Sequence, residues 1–246
     1  MPSGETLHFD ARDLVSGTHY DPGTSRVSAW PSRNGAVTMA QATASKQPLY
    51  QATGFGSSPG VLYDGSDDKL WSAFSGITTQ SYSLLVGLKY TAGAANYHQA
   101  SFGGSASGAA ETNSDDYFNG MGMRPIAPNS RVDSFTVYNG PPPSGILYNA
   151  ATHSVMGAKS AIQALAASWG YDGSNNIVKG SVAGNSVSMT LAIKTSSINA
   201  TLQSASLGAY SSGVLEGQLT EVRVWGRTLS QIEINRATRV MNGRLA

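Results

Sequence analysis

Alternation of apolar residues constrains this chain more than any other feature. Between residues 82 and 90 every second side chain is large and apolar, namely Tyr82, Leu84, Val86, Leu88 and Tyr90. Successive side chains of a β-strand point to opposite faces of the sheet, so this period of two predicts a strand with one buried face. A second long alternation covers residues 215–225.

Turn-forming residues separate many shorter runs of the same kind. The chain has 28 glycines among 246 residues, which is typical of an all-β protein with many short strands. Segment 161–169 is rich in alanine, but its alternation favours a strand over a helix. The polar segment 31–48 is predicted to be a loop with little regular structure. Strands are predicted at residues 7–11, 27–30, 60–64, 82–90, 100–104, 117–124, 131–138, 161–169, 177–182, 187–193, 205–210 and 215–225.

One helix is predicted at the C-terminus. Ser230 and Glu233 have the spacing of a capping box, in which each side chain accepts a hydrogen bond from the other residue's backbone N–H. An apolar stripe follows, and Asn242-Gly243 has the form of a helix C-cap.

Composition excludes several classes of protein. The net charge is +1 and like charges do not cluster, so no field attracts nucleic acid or an anionic membrane. Cysteine is absent, which excludes disulfides and thiolate chemistry. No apolar stretch approaches the ~20 residues of a membrane-spanning helix. The first residues lack the basic and apolar regions of a signal peptide, so we expect export by another route unless a signal has been removed.

Three segments resemble a known superfamily. The first segment combines residues 9–12 (Phe-Asp-Ala-Arg), 27–30 (Val-Ser-Ala-Trp) and 42–50. The second is residues 61–70, which contain Tyr-Asp-Gly-Ser-Asp-Asp. The third is residues 217–230, which contain Glu-Val-Arg-Val-Trp. In this order they resemble the concanavalin A-like lectin/glucanase superfamily of laminin-G-like jelly rolls, found in phage virion and bacterial surface proteins. The resemblance implies one domain over residues 1–246: an all-β, two-sheet antiparallel jelly-roll sandwich with one short C-terminal α-helix.

Catalytic residues of that superfamily have no counterpart in the motifs of this chain. Its glucanases carry Glu-x-Asp-x-x-Glu on one strand, and none of the five glutamates here lies in such a pattern. Glu216 and Glu221 share a predicted strand but lie five residues apart, on opposite faces unless a bulge intervenes. We interpret both as solvent-facing or ladder charges. The four histidines lack metal-ligand spacing, and we expect no enzymatic activity.

The acidic turn after the third predicted strand is the candidate metal site. Asp64, Asp67 and Asp68 cluster there, and Ca²⁺ prefers such oxygen ligands. Relatives of this fold often bind calcium between loops, so calcium is the candidate cofactor. The alternative is that Asp64 and Ser66 organise the turn while Asp67 and Asp68 are solvated.

Aromatic residues near predicted loops are the candidate carbohydrate-binding residues. Trp71 follows the acidic turn, and Tyr97 and Tyr117 flank a Gly/Ser/Ala-rich stretch. Trp30 and Trp169 are predicted to lie in the core, and Trp225 beneath the final helix.

These observations predict a non-enzymatic structural or decoration protein of a tailed-phage virion. It would contact capsid or tail proteins, other copies of itself as a homo-oligomer, and host surface glycans. The alternative is a carbohydrate-binding or adhesion module that is extracellular or on a bacterial cell surface, and a glycan-cleaving enzyme ranks third.

Overall fold

The chain folds into two antiparallel β-sheets and one α-helix. This computed structural model describes residues 1–79, 81–93, 100–103, 120–126, 131–138, 151–152, 162–171, 176–187, 200–210 and 213–245. The strands are β1 Leu7–Asp10, β2 Ala29–Pro31, β3 Thr38–Ala40, β4 Leu49–Phe55, β5 Ser58–Asp64, β6 Leu70–Thr79, β7 Tyr82–Gly93, β8 Ala100–Gly103, β9 Gly120–Ile126, β10 Arg131–Tyr138, β11 Ala151–Thr152, β12 Ile162–Tyr171, β13 Asn176–Val182, β14 Asn185–Val187, β15 Ala200–Leu207, β16 Ala209–Tyr210 and β17 Gly213–Trp225, and the helix is α1 Gln231–Leu245.

The strands form a nine-stranded and an eight-stranded sheet. In the nine-stranded sheet the order is β14-β13-β12-β7-β17-β5-β4, and β1 and β16 also pair with β17. The eight-stranded sheet has the order β11-β10-β9-β8-β15-β6-β3-β2. The predicted two-sheet antiparallel sandwich with a C-terminal helix is therefore confirmed.

The main core lies between the two sheets and follows the predicted alternation. Tyr82, Leu84, Val86 and Leu88 on β7 are at most 3% exposed and belong to this core. Trp30 is fully buried there, with its ring edge-on to Phe9 at 6.3 Å between centroids, so its predicted core position is confirmed.

Helix α1 covers the outer face of the nine-stranded sheet. Ile234, Ala237 and Met241 pack with outward residues of β7 and β12 and with the fully buried Trp225, as predicted for that tryptophan. Ser230 Oγ accepts from Glu233 N at 3.2 Å, and Glu233 Oε2 accepts from Ser230 N at 2.8 Å. The capping box is thus confirmed. Within the described residues, no helix is long and apolar enough to cross a membrane.

Two local predictions are wrong. Segment 31–48 contains strand β3, because Met39 pairs with Trp30 and is fully buried in the core. The helix passes through Asn242-Gly243 and ends at Leu245, because Leu245 packs into the cluster beneath the helix at 4% exposure. Strands β4 and most of β6 were not predicted. Parts of the predicted strands 100–104, 117–124 and 187–193 fall outside the described residues.

The helical position of Gly243 predicts that Gly243→Ala stabilises the fold. A Cβ there meets no atom within 4 Å, and alanine in a helix is favoured over glycine by up to about 1 kcal/mol. Thermal denaturation should show a raised Tm. Gly208→Ala is the contrast, because its φ is +90° and its Cβ would lie 2.0 Å from the Tyr63 ring. A lowered Tm for Gly243→Ala would contradict the helical assignment.

Candidate functional site

The acidic turn, residues 64–68, brings the three predicted calcium ligands together. Asp64 ends β5, and Leu70 begins β6. Asp64 Oδ1 accepts from Ser66 N at 2.8 Å, and Asp68 Oδ2 accepts from Asp64 N at 3.1 Å. One carboxylate oxygen from each of Asp64, Asp67 and Asp68 lies within 4.8 Å of the others. Asp64 and Asp67 are exposed while Asp68 is 3% exposed, so the turn opens to solvent on one side.

The buried carboxyl group of Asp68 is electrostatically unfavourable. Burial and then the charge of Asp64 raise its pKa to about 6, although the hydrogen bond from the Asp64 backbone acts in the opposite direction. Arg26 is the cation that lowers this pKa, and it has the smallest effect of the named causes. The donor set consists of carboxylate oxygens only, which fits a hard cation such as Ca²⁺. Calcium binding itself stays a prediction.

Glu216 lies beside the acidic turn, a position that the sequence did not predict. Glu216 on β17 is the ladder partner of Asp64. A Cβ on Gly65, whose φ is +80°, would lie 2.9 Å from Glu216 Cβ and 3.5 Å from its Oε2. The alternating pattern of β17 indicated only that Glu216 points outward. The pairing of β17 with β5 decides that Glu216 lies next to Asp64.

A second charged group, the ion-pair cluster, lies on the outer face of the nine-stranded sheet. In β1, Leu7 and Phe9 point into the core, so His8 and Asp10 point outward. Across the ladder, His8 faces Arg223 and Asp10 faces Glu221. The cluster consists of Glu5, His8, Asp10, Arg12, Asp13, Arg33, Glu221, Arg223 and Arg244.

Glu221 is the centre of the ion-pair cluster. Its Oε1 lies 3.0 Å from His8 Nε2 and accepts from Arg223 Nε at 2.5 Å. Its Oε2 lies 3.3 Å from an Arg12 nitrogen and 3.5 Å from an Arg244 nitrogen. Burial by itself would raise the pKa of Glu221, but the His8 hydrogen bond and the Arg223 guanidinium lower it to about 2.

Asp10 is compensated in the same way. It is fully buried, and Arg12 binds it through both carboxylate oxygens at 2.8 and 2.5 Å. Arg33 adds a third contact at 3.0 Å and also binds Asp13 at 2.8 Å. His8, Asp10 and Glu221 lie close enough to share a metal ion. However, four guanidinium groups already neutralise the acids, so this donor set fits an ion-pair cluster and not a metal site.

Of the two predicted alternatives for Glu221, the solvent-facing charge is wrong, and the ladder charge is confirmed by its pairing with Asp10. Glu221 is 3% exposed, and a register shift between Leu219 and Glu221 marks a bulge. Because this bulge adds a residue, Glu216 and Glu221 both point outward from the nine-stranded sheet. The sequence analysis found no histidine-based spacing, since His8 and Glu221 are 213 residues apart and meet only through strand pairing.

Trp71 lies on the outer face of the eight-stranded sheet. Leu70 is fully buried, so its neighbour Trp71 points away from the core, where it is half-buried. Cross-strand pairing places it in a row, the Trp71 row, that crosses seven strands. The row is Ala29, Ala40, Trp71, Ser206, Ser101, Gly122 and Thr136. Tyr97 and Tyr117 fall outside the described residues, so their relation to Trp71 stays a prediction.

Comparison with known proteins shows the fold. No protein-family model and no curated protein matches the chain. Domain 4 of an extracellular GH43 arabinanase from Geobacillus stearothermophilus, solved with arabinotriose, matches at a TM-score of 0.60 and 12% identity, over 96% of this chain and 98% of that domain.

Two larger proteins contain a similar unit. Trypanosoma rangeli sialidase matches at a TM-score of 0.59 and 10% identity, over 100% of this chain and 34% of the sialidase. The botulinum neurotoxin serotype G binding domain matches at a TM-score of 0.61 and 10% identity, over 97% of this chain and 51% of that domain. This chain thus spans about a third and a half of those two proteins. The matches support the β-sandwich fold, and the predicted superfamily within it stays a prediction.

The ion-pair cluster predicts that Glu221→Gln is strongly destabilising. The substitution removes the buried carboxylate that binds Arg223 and leaves this arginine only the partly exposed Glu5. Breaking a buried ion pair costs roughly 3 kcal/mol. Chemical denaturation should show the loss at neutral pH. The folded-state pKa of about 2 lies below the ordinary glutamate pKa of 4.5, so this stabilisation is present above pH 4.5 and lost as pH falls towards 2. Glu233→Gln, which removes a half-exposed ion pair with Arg227, should cost much less. Equal losses of stability would show that burial of Glu221 does not set the cost.

The acidic turn predicts that Asp68→Asn stabilises the protein in the presence of a chelator. The pKa of Asp68 rises from 3.8 to about 6 on folding, so its stabilising protonated form is lost as pH rises through 6. Asparagine can still accept the hydrogen bond from Asp64 N without carrying the charge. Thermal denaturation in EGTA should therefore show a raised Tm at pH 8 and little change at pH 4. A lowered Tm at pH 8 would show that the charge of Asp68 is compensated.

Proposed function

We propose that the chain is a non-catalytic carbohydrate-binding module that contacts neutral glycans through the Trp71 row. The observation that carries the proposal is a single half-buried indole placed among small residues on a sheet face where no described helix packs. The two sheets differ in their outer surfaces, and this difference selects the face.

The outer face of the nine-stranded sheet is occupied. Helix α1 packs on β7, β12, β13 and β14, and the ion-pair cluster lies beyond its C-terminal end through Arg244. Among the described residues, no helix packs on the outer face of the eight-stranded sheet. We therefore propose the Trp71 side of the sandwich as the face that contacts the glycan.

The composition of the Trp71 row suits a sugar ring. Apart from Trp71, its members are alanine, serine, glycine and threonine. Ala40 in the row and Ala73, two residues after Trp71, are exposed, whereas Ser206 is 1% exposed. Exposed alanines beside the indole leave room for a ligand on that side, and binding sites for small molecules commonly combine aromatic surface with a few polar groups. Seven strands spaced about 4.8 Å apart give the row a length of roughly 29 Å, enough for an oligosaccharide.

The charge of the row favours a neutral ligand. None of its seven residues is ionisable, so an acidic sugar finds no partner for its carboxylate there. The similar arabinanase domain was solved with arabinotriose, a neutral oligosaccharide, and supports a test with linear pentose and hexose oligomers.

A non-catalytic role is part of the proposal. Glu221 is buried in the ion-pair cluster, and Glu216 lies against the acidic turn, both on the sheet face opposite Trp71. Retaining and inverting glycosidases need two carboxyl groups flanking the bond they cleave. A role in a phage virion, with capsid, tail or self-assembly contacts, stays a prediction, and we propose the glycan-binding module without it.

Trp71→Ala is expected to abolish glycan binding or weaken it by about fivefold or more, since an aromatic stacking contact contributes on the order of 1 kcal/mol or more. Isothermal titration with arabinotriose and other neutral oligosaccharides, after selection on a glycan array, measures the effect. Trp71→Phe should retain part of the affinity because it keeps a flat ring.

Ile232→Ala is the matched control, because Ile232 is 81% exposed on α1, on the opposite side of the sandwich. Its affinity should equal that of the unmodified chain. An array without a bound glycan, or equal binding by Trp71→Ala, would reject the proposed function.

A further inference from the structure

We infer that the Trp71 row continues past β2 to His19 and Val15, which form a second sugar-contacting subsite on the same sheet face. This subsite rests on the proposed glycan-binding function, because it extends the surface on which Trp71 lies. It narrows the ligand class to a neutral oligosaccharide that is long enough to lie across the strands between the two subsites.

The segment around His19 lies along the outer edge of β2. Tyr20 forms an antiparallel bridge with Val27. The backbone N–H groups of Ser28 and Ala29 both donate to the His19 carbonyl, at 3.0 and 3.2 Å. Two successive residues thus oppose one residue of the neighbouring segment, which is the pattern of a β-bulge. His19 is therefore the cross-strand neighbour of Ala29, the residue at the β2 end of the row.

Burial shows on which sheet face His19 lies. Tyr20 packs against the main core between the sheets, so its neighbour His19 points away from that core. On the other side of the bridge, the two residues of the bulge are half-buried and are flanked by the fully buried Val27 and Trp30. The bulge thus turns both of its residues outward. His19 lies with them on the outer face of the eight-stranded sheet, which is the face that carries Trp71.

The imidazole of His19 is held by one ring nitrogen. Nδ1 accepts a hydrogen bond from Val15 N at 2.9 Å, so the neutral ring carries its proton on Nε2. Among the described residues, no hydrogen-bond partner faces Nε2. His19 is only half-buried. Nε2–H is therefore a fixed donor that can reach the hydroxyl oxygen of a bound sugar.

Val15 adds apolar surface beside this donor. Its carbonyl accepts from His19 N at 2.8 Å, so two hydrogen bonds hold the residues side by side. Val15 is 54% exposed and is one of two large apolar side chains that are exposed in the described part of the chain. A sugar presents C–H groups as well as hydroxyl groups, and sites for such ligands combine apolar surface with a few placed polar groups.

The spacing between the two subsites sets the length of the ligand. From Trp71 the row passes Ala40 and Ala29 before it reaches His19. Three strand spacings of about 4.8 Å separate the ends by roughly 14 Å. Both residues between them are alanines, so no large side chain of the row interrupts the path. A monosaccharide cannot contact both ends, whereas an oligosaccharide that lies across the strands can.

The test is a comparison of ligand lengths by isothermal titration of the full chain. The probes are arabinose, arabinotriose and arabinohexaose, with glucose, cellotriose and cellohexaose as a second series. The unmodified chain should bind a hexamer at least about fivefold more tightly than the monosaccharide, which is the contribution of one further hydrogen bond.

His19→Ala should weaken hexamer binding by about fivefold through loss of that hydrogen bond and leave monosaccharide binding unchanged, because a monosaccharide binds at the indole. His19→Gln should keep most of the affinity, since its amide can accept from Val15 N and still donate. Val15→Ser should also weaken binding of the hexamer alone. Ile232→Ser is the matched control, because Ile232 is the other exposed large apolar residue, at 81%, and lies on the opposite side of the sandwich. Thermal denaturation checks that each variant is folded.

Equal hexamer affinities for the unmodified chain, His19→Ala and Val15→Ser would overturn the second subsite and leave binding at Trp71 intact. A loss that affects the monosaccharide as strongly as the hexamer would also overturn it, since His19 would then act through the fold. If no probe binds, the subsite is overturned, whereas the proposed function is judged by the glycan array and by Trp71→Ala.

Discussion

The pairing of β17 along both of its edges is the constraint on which the rest of the structure depends. One edge pairs with β7, and the other pairs in turn with β16, β5 and β1. Leu219, Val222 and Val224 thereby reach the core. A slip of one residue would turn Glu221 and Arg223 into that core, so burial fixes the register.

The same strand organises the outer face of the nine-stranded sheet. Its bulge after Leu219 turns Thr220 and Glu221 outward together. Thr220 donates to the Pro59 carbonyl at 2.7 Å, and Glu221 receives His8 and Arg223. Because Arg244 at the end of α1 also reaches Glu221, the cluster joins the first strand, the last strand and the helix. This face is therefore occupied by the ion-pair cluster and the helix.

Charge compensation distinguishes the two acidic sites of the described residues. At Glu221, arginine side chains outweigh the cost of burial and hold the carboxylate ionised, with a pKa of about 2. At Asp68, burial and neighbouring acids dominate, and the pKa rises to about 6. The pKa values of these two buried carboxyl groups thus shift in opposite directions because their neighbours differ. A carboxylate cluster with arginine partners is structural, and one without them is a candidate for binding a cation.

Local pattern determined much of the fold. The period of two fixed which residues of β7 face the core, and the spacing of Ser230 and Glu233 fixed the start of α1, because both depend on residues a few positions apart. Local pattern could not predict contacts with distant residues. Nothing near Gly243 showed that Leu245 would pack beneath the helix and extend it. Met39 likewise formed β3 only because Trp30 lies opposite.

The sequence by itself determined the strand faces, the capping box and the grouping of Asp64, Asp67 and Asp68. Only the tertiary structure decided that Glu216 lies over Gly65, that His8 meets Glu221, and that Trp71 stands in a row of small residues. Each of these contacts joins strands that are distant in the chain. Side-chain periodicity fixes the face on which a residue lies, whereas its neighbours on that face depend on which strands pair and in which register, and that is set by burial of the whole sandwich.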